Sequence, residues 1–344
     1  MHIVIAPDSF KGTATAAAVA AAVADGWRTE RPEDTITLVP MADGGEGTLD
    51  AFASAVPDAV RVPVTVTGPA GTPVDSAWLR LPDGRAVVEL AATSGLPLLD
   101  APPTGTATSR GFGEAIAAAL DAGATGLVLG IGGSASTDGG RPVLEALGLD
   151  PTGTGRSGLR ALPPAGVTVL TDVTAPLLGP TGAPAVFGPQ KGVAAQDVAA
   201  YEERLAAWAA RFPEVDPATP GAGAAGGVGF GLLVWGATLM AGGTAVAEVL
   251  GLPGALRSAD VVITGEGRFD GQSAAGKVPA VVLALAGPAR CMLVAGDIAA
   301  PLDDFAAAAS LTVIATQTTG EPDDALRDPL RFAVIAGTRL AARA

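Results

Sequence analysis

HIVIAPDSFKGTATAAAVAAAVADGWR, residues 2–28, decides the fold class. His2–Ala6 is a short continuous apolar run, as expected of a strand buried on both faces. Pro7–Gly12 follows as a polar, glycine-ended loop. Thr13 or Thr15 can then cap a helix that runs to about Arg28, its first turns rich in alanine. The rhythm repeats at once. Thr35–Pro40 reads as a strand, Met41–Gly47 as a glycine-rich loop and Thr48–Ala55 as a helix. Strand–loop–helix units of this kind imply an α/β fold with a parallel sheet, whose ligands lie beyond the carboxyl ends of the strands.

Outward from this stretch the pattern changes and then returns. Val60–Thr67, Asp75–Leu81 and Ala86–Glu89 are short extended runs separated by Gly-Pro and Asp-Gly turns, which predicts a meander. Helices are predicted at Gly111–Ala122, Pro142–Leu147 and Asp197–Phe212, and strands at Gly126–Gly130 and Val167–Thr171. Phe212–Pro220, with three prolines in nine residues, reads as a connector. From Asp260 the α/β rhythm resumes: strands at Val261–Thr264, Arg290–Ala295 and Leu311–Ala315, helices at Lys277–Leu285 and Leu330–Arg339. Because both ends read as parallel α/β and the middle does not, the expected architecture is one discontinuous domain, residues 1–58 plus 258–344. A second α/β domain, 59–257, is inserted in it, with the active site in the cleft between them.

Composition bounds the function. At 344 residues the chain is long enough for two domains. With 49% apolar and 16% charged residues it can build real cores. Its most apolar stretches, Val278–Gly287 and Leu232–Ala241, are about half of the ~20 residues a bilayer span needs. The N-terminus lacks the pattern of a secretory signal, and the single cysteine, Cys291, fits a reducing compartment, so a cytoplasmic location is expected. A net charge of −14 leaves no basic stripe for nucleic acid.

The chemistry concentrates in glycine-rich loops. Of 21 basic residues only Lys11, Lys191 and Lys277 are lysines, and each adjoins a glycine. An ammonium on a flexible stem beside a close-approaching backbone suits phosphate oxygens. Asp8, Asp43, Glu46, Asp138, Asp172, Glu266 and Asp270 sit in or beside the same kind of loop, most of them after a predicted strand. Such carboxylates can hold Mg²⁺ or accept a hydroxyl proton. The lone histidine, His2, lies inside the first strand, so histidine triads and His/Cys zinc sites have no material. Carboxylate and lysine chemistry fits phosphoryl transfer, where positioning and charge neutralisation dominate.

Two motif matches are discounted. Gly221–Gly226 fits G-x-G-x-x-G, but it follows the proline-rich connector instead of a strand. Gly271–Lys277 fits G-x-x-x-x-G-K, but Val278 stands where a hydroxyl should meet Mg²⁺, and the predicted strand ends seven residues before Gly271.

Seven segments in order resemble the bacterial glycerate kinase family: APDSFKG (6–12), PMADGGEGT (40–48), IGGSASTDGG (131–140), DVTAPLLG (172–179), VFGPQKG (186–192), PGAGAAGGVGFG (220–231) and ITGEGRFDGQSAAGKVP (263–279). The resemblance implies a two-domain α/β enzyme of non-P-loop type whose first domain is flavodoxin-like. It implies ATP-dependent phosphorylation of D-glycerate with Mg²⁺, commonly at the 2-hydroxyl, giving 2-phosphoglycerate and ADP. A kinase of another hydroxy acid or polyol, or a non-catalytic sugar- or phosphate-binding sensor, is the alternative. The catalytic set is then Asp8, Lys11, Asp43 and Asp172, with Asp8, Asp43 or Asp172 as proton acceptor. Substrate and nucleotide contacts fall to Ser9, Glu46, Arg110, Ser134, Asp138, Gln190, Lys191, Glu266, Arg268, Asp270 and Lys277. Glu266 and Asp270 double as Mg²⁺ ligands. Partners are the small molecules alone, with neither nucleic acid nor membrane, and a homodimer is left open.

Overall fold

A computed structural model describes residues 1–271, 273 and 277–344. The chain divides into two compact units. One comprises Met1–Asp43, Asp50–Val56 and Gly243–Ala344; the other comprises Gly44–Leu49 and Pro57–Gly242.

The first unit is built on five parallel strands: β1 (His2–Pro7), β2 (Thr35–Leu38), β9 (Val261–Phe269), β10 (Arg290–Ile298) and β11 (Ala307–Ser310). Their order across the sheet is β11-β10-β9-β1-β2. Taken in chain order that is the flavodoxin arrangement, which reverses direction between its first and third strands. Here the reversal lies between β1 and β9, where Ile3 pairs with Val261 and Pro7 with Gly265. Loops leaving β1 and β9 therefore diverge at one edge and open a crevice.

Why the strands read as apolar runs is clear from their packing. Ile3, Ile5, Val261, Ile263, Met292 and Val294 share a core with Val19, Val23, Trp27, Phe332 and Ala336 of helices Ala16–Glu30 and Pro329–Ala341. Thr15 caps the first of these helices, its hydroxyl accepting from the Ala18 N–H at 3.2 Å. The two helices pack backbone to backbone. A Cβ on Gly26 would lie 1.9 Å from the Val334 carbonyl oxygen, and one on Gly337 2.1 Å from that of Val23. The two ends of the chain are thus locked into one unit.

The second unit carries six strands: β3 (Val60–Thr67), β4 (Pro73–Arg80), β5 (Arg85–Glu89), β6 (Gly126–Gly130), β7 (Val167–Leu170) and β8 (Thr238–Met240). They are ordered as numbered. β3–β4–β5 is an antiparallel meander, and β5–β6–β7–β8 continues it in parallel. Trp78, Phe112, Ile116, Leu129, Phe212 and Phe230 are in its core. Burying each such side chain contributes about 1.5–3 kcal/mol.

Two sequence expectations fail. Leu311–Ala315 is not a strand but the start of helix Leu311–Thr319, and the edge strand is the preceding Ala307–Ser310. A short β-branched run cannot be told from a buried helix by periodicity. Ser310 decides it by capping, its hydroxyl accepting from the Val313 N–H at 3.3 Å. Second, β9 does not end at Thr264 but runs to Phe269, paired with β10 as far as Ile298. One of the two grounds for discounting the Gly271–Lys277 match therefore falls. The other, Val278 in place of a hydroxyl, stands. Within that match Gln272 and Ala274–Gly276, including the glycine adjoining Lys277, lie outside the described residues.

Candidate active site

At the carboxyl edge of the first sheet a pocket of about 520 Å³ lies over the ends of β1, β9 and β10 and the start of helix Leu311–Thr319. Asp8, Lys11, Glu266, Arg268, Asp270 and Lys277 line it, with Ser9 and Phe10 alongside. Asp8 is placed by the end of β1: its N–H donates to the Gly265 carbonyl at 2.8 Å, and its Oδ1 accepts from the Ser9 N–H at 2.7 Å. Only 3% of Asp8 is exposed. Burial pushes its carboxyl well above the usual carboxylate range, the Asp43 carboxylate adds to the rise, and Lys11 and the Ser9 N–H oppose it. Phe10, buried in the core, anchors the loop and leaves Lys11 half-exposed. The Lys11 ammonium reaches Asp43 Oδ2 at 3.3 Å, and that carboxylate is the main cause of the ammonium's raised pKa.

The facing wall comes from β9. Glu266 is 6% exposed, and its Oε2 meets Lys277 Nζ at 3.5 Å. Burial raises its carboxyl, with a Ser273 hydrogen bond and Lys277 opposing and Asp270 adding to the rise. Glu266 Oε1 is buried without a hydrogen-bond partner. A carboxylate oxygen left in that state costs free energy unless a cation or hydroxyl meets it. Beyond it, Arg268 pairs with Asp270 at 3.6 Å, and Asp270 N–H donates to Ser273 Oγ at 2.9 Å. Among the described residues no group of three or more His, Cys, Asp or Glu could cage a metal. Mg²⁺ bound to a nucleotide needs fewer, because one or two carboxylates, phosphate oxygens and water complete its shell. The open oxygen of Glu266, with Asp270 beside it, fits that requirement.

The second unit holds another polar cluster. Asp138 accepts from Ser109 N–H at 2.8 Å, from Ser109 Oγ and from Gly140 N–H at 3.0 Å. It thereby anchors the start of helix Arg110–Asp121. Burial raises its carboxyl against these hydrogen bonds and the Lys191 charge. Lys191 is 3% exposed, and its Nζ donates to Ser134 Oγ at 2.5 Å and to the Ser136 carbonyl at 2.8 Å. Burial pushes the ammonium down to about 7, with Asp138 opposing. Lys191 thus braces the Ser134–Asp138 loop. Asp172, after β7, accepts from the Gly242 N–H at 2.8 Å. Arg110 is paired with Glu114 at 2.9 Å along a helix face, and Gln190 is exposed. Glu46 is half-buried in the loop before helix Thr48–Ala55.

Lys191 gives a test. A lysine whose folded pKa is about 7 binds no proton over the window up to 10.5, where the unfolded lysine still does. Stability should then rise with pH between those values and lose that slope below 7. Scanning calorimetry from pH 6.5 to 9.5 should show the rise in the wild type and a flatter profile in Lys191→Met. Equal slopes would exclude the buried ammonium as the cause.

Glu89 and Ser109 were not among the sequence candidates. Glu89, at the end of β5, accepts from Gly47 N–H at 3.2 Å and Leu49 N–H at 2.8 Å, and so holds the loop that carries Glu46. The criterion that selected Asp172, an acid at a strand's end, would have found Glu89 too. Ser109, between a threonine and an arginine, carried no comparable signal.

Comparison with known proteins places these features in a family setting. Residues 3–342 match the model of the glycerate kinase family. The chain is 41% identical over 306 residues to the glycerate 2-kinase of Escherichia coli strain K12, covering 81% of this chain and 80% of that one. Over 306 residues it is 40% identical to the glycerate kinase of Bacillus subtilis strain 168, again covering 81% and 80%. A crystal structure provisionally named glycerate kinase 2, from Salmonella typhimurium LT2, matches with a TM-score of 0.82 at 37% identity. That match covers 99% of this chain and 97% of the other.

Proposed function

The chain belongs to the glycerate kinase family, and we propose that this kinase transfers a phosphoryl group from ATP to the 2-hydroxyl of D-glycerate, giving 2-phosphoglycerate and ADP. The observation that carries the reading is the first unit's pocket, where one buried acid, two lysines and a second acid with an open oxygen converge at the switch point of a parallel sheet. That position is where α/β sheets of this order bind ligands.

Roles follow from the chemistry of each group. Asp8, its pKa lifted by burial and by Asp43, is the acceptor for the glycerate hydroxyl proton. Asp43 and Lys11 hold each other in place, and Lys11 and Lys277 offset the charge of the phosphates. Arg268 is the pocket's guanidinium for the glycerate carboxylate, since Arg110 does not line that pocket. Glu266 and Asp270 would hold Mg²⁺, which screens the phosphate oxygens when bound. In the second unit Lys191 and Asp138 fix the loop bearing Ser134, and Glu89 fixes the loop bearing Glu46.

The site of transfer has a direct test. ADP release is measured with D-glycerate, and enolase is then added without phosphoglycerate mutase. Phosphoenolpyruvate should form, because enolase acts on the 2-phosphate alone. Release of ADP with no phosphoenolpyruvate would place the phosphoryl group on the other hydroxyl.

A further inference from the structure

The second unit contains a pocket of about 570 Å³ to which the proposed reaction assigns no contact; its one lining carboxylate, Asp138, is engaged by Ser109 and the Gly140 N–H. Its walls carry three arginines, Arg141, Arg204 and Arg211, and its lining includes Thr137. In a chain of net charge −14, such a concentration of cations is a local inversion of the field. Arg141 is paired with Glu145 at 2.7 Å. Arg204 makes no carboxylate ion pair among the described residues, and Arg211 acts on the nearby Asp150 carboxyl only through its charge. Both are held by other means. The Arg204 guanidinium lies 3.9 Å from the Tyr201 ring centroid, and Arg211 donates to the Gly153 carbonyl at 2.9 Å while facing Trp208 at 5.3 Å. Guanidinium groups fixed in this way lose little freedom on meeting an anion. The hydroxyl of Thr137 is the second observation: the residue is 5% exposed, and its Oγ1 has no hydrogen-bond partner in the protein. A buried hydroxyl without a partner, beside three cations, suits an external acceptor.

We propose that this pocket binds a small phosphate-bearing anion. Guanidinium forks match phosphate oxygens, and three of them against the carboxylates of Glu145 and Asp138 leave the lining net positive. The aromatic rings serve to orient the arginines and are not free to stack a base. The pocket supports the inference without reference to the proposed reaction.

Trp208 lines the pocket, so its emission reports occupancy. Wild-type protein is titrated with inorganic phosphate and with glycerol 3-phosphate, using sodium acetate at equal ionic strength as control and Trp208→Phe as background. Saturable change with the phosphates is expected, and Arg141→Gln/Arg204→Gln should weaken it at least about tenfold, as loss of two charge-assisted donors implies. Arg211 is left in place because it supports backbone carbonyls. Tighter binding of glycerol 3-phosphate makes an organic ester the occupant; equal binding makes the phosphoryl group alone sufficient, and either result upholds the site. A response matched by acetate, or a double variant that titrates like the wild type, would overturn it.

Discussion

Replacing Asp8 by Asn is expected to lower kcat by about 10²–10⁴-fold, the usual contribution of a positioned general base, while raising thermal stability at pH 7. The two effects have one cause. Asp8 sits buried with Asp43 as a like-charged neighbour, and both features raise its pKa. A carboxyl whose folded pKa lies above its unfolded value adds stability at low pH and loses it as pH rises toward the folded value. Above its unfolded pKa the folded chain therefore bears the cost of that shift, and the isosteric amide, which does not titrate, removes it. The Ser9 N–H can still donate to the amide oxygen, so the loop should persist. Steady-state turnover and calorimetry from pH 4 to 8 test both halves. Turnover within about threefold of wild type would remove Asp8 from the role of base. Unchanged or lower stability would mean that its burial is compensated. Asp43→Asn supplies an independent check. It removes the repulsion on Asp8, so the acidic limb of the kcat/KM profile should move to lower pH. A limb that stays in place would separate the two acids.

What the sequence disclosed was the material whose signal is local. His2–Pro7, Val261 onward and Arg290 onward are apolar runs because both faces of the first sheet are covered, and Asp8 and Glu266 could be picked out because each follows an apolar run in a glycine-containing stretch. The misreadings have equally local causes. Leu311–Ala315 carries β-branched residues on a helix, whereas the true edge strand, Ala307–Ser310, is nearly all alanine and has little strand propensity of its own. It is a strand because it pairs with Met292–Ala295 of β10, which no local rule reveals.

The site shows the same division. Lys11, Lys191 and Lys277 could be singled out by their glycine neighbours. Their different environments were not. Lys11 is half-exposed beside Asp43, whereas Lys191 is sealed against Ser134 and the Ser136 carbonyl. Burial is set by chain segments more than fifty residues away in sequence, so spacing alone cannot separate a phosphate contact from an internal brace. The arginine pocket was missed for a related reason. Arg204 and Arg211 belong to no glycine-rich loop, Arg141 only follows one, and only the fold brings the three together.

The other large effect expected is structural. Gly226→Ala should destabilise the second unit by about 4 kcal/mol or more, at the upper end of single-substitution effects. Gly226 has φ +68°, in the left-handed region, where a Cβ alone costs roughly 1–2 kcal/mol. The close approach adds far more. A Cβ there would lie 2.0 Å from the Ser136 carbonyl oxygen and 2.7 Å from Thr137 Cα, which are backbone atoms with no flexible end to yield. The loop that would have to move is the one Lys191 grips through that same Ser136 carbonyl. The Gly226 carbonyl also accepts from the Gly139 N–H at 3.0 Å, next to Asp138. Displacement should therefore reach the Asp138–Ser109 bonds and the start of helix Arg110–Asp121. Gly166→Ala is the control. Its φ of +76° is comparable, but an added Cβ would meet nothing within 4 Å, so only the backbone cost remains. Urea unfolding can follow this unit through Trp78, Trp208 and Trp235. Equal losses in the two variants would show that backbone conformation, and not the close approach to Ser136, fixes glycine at position 226.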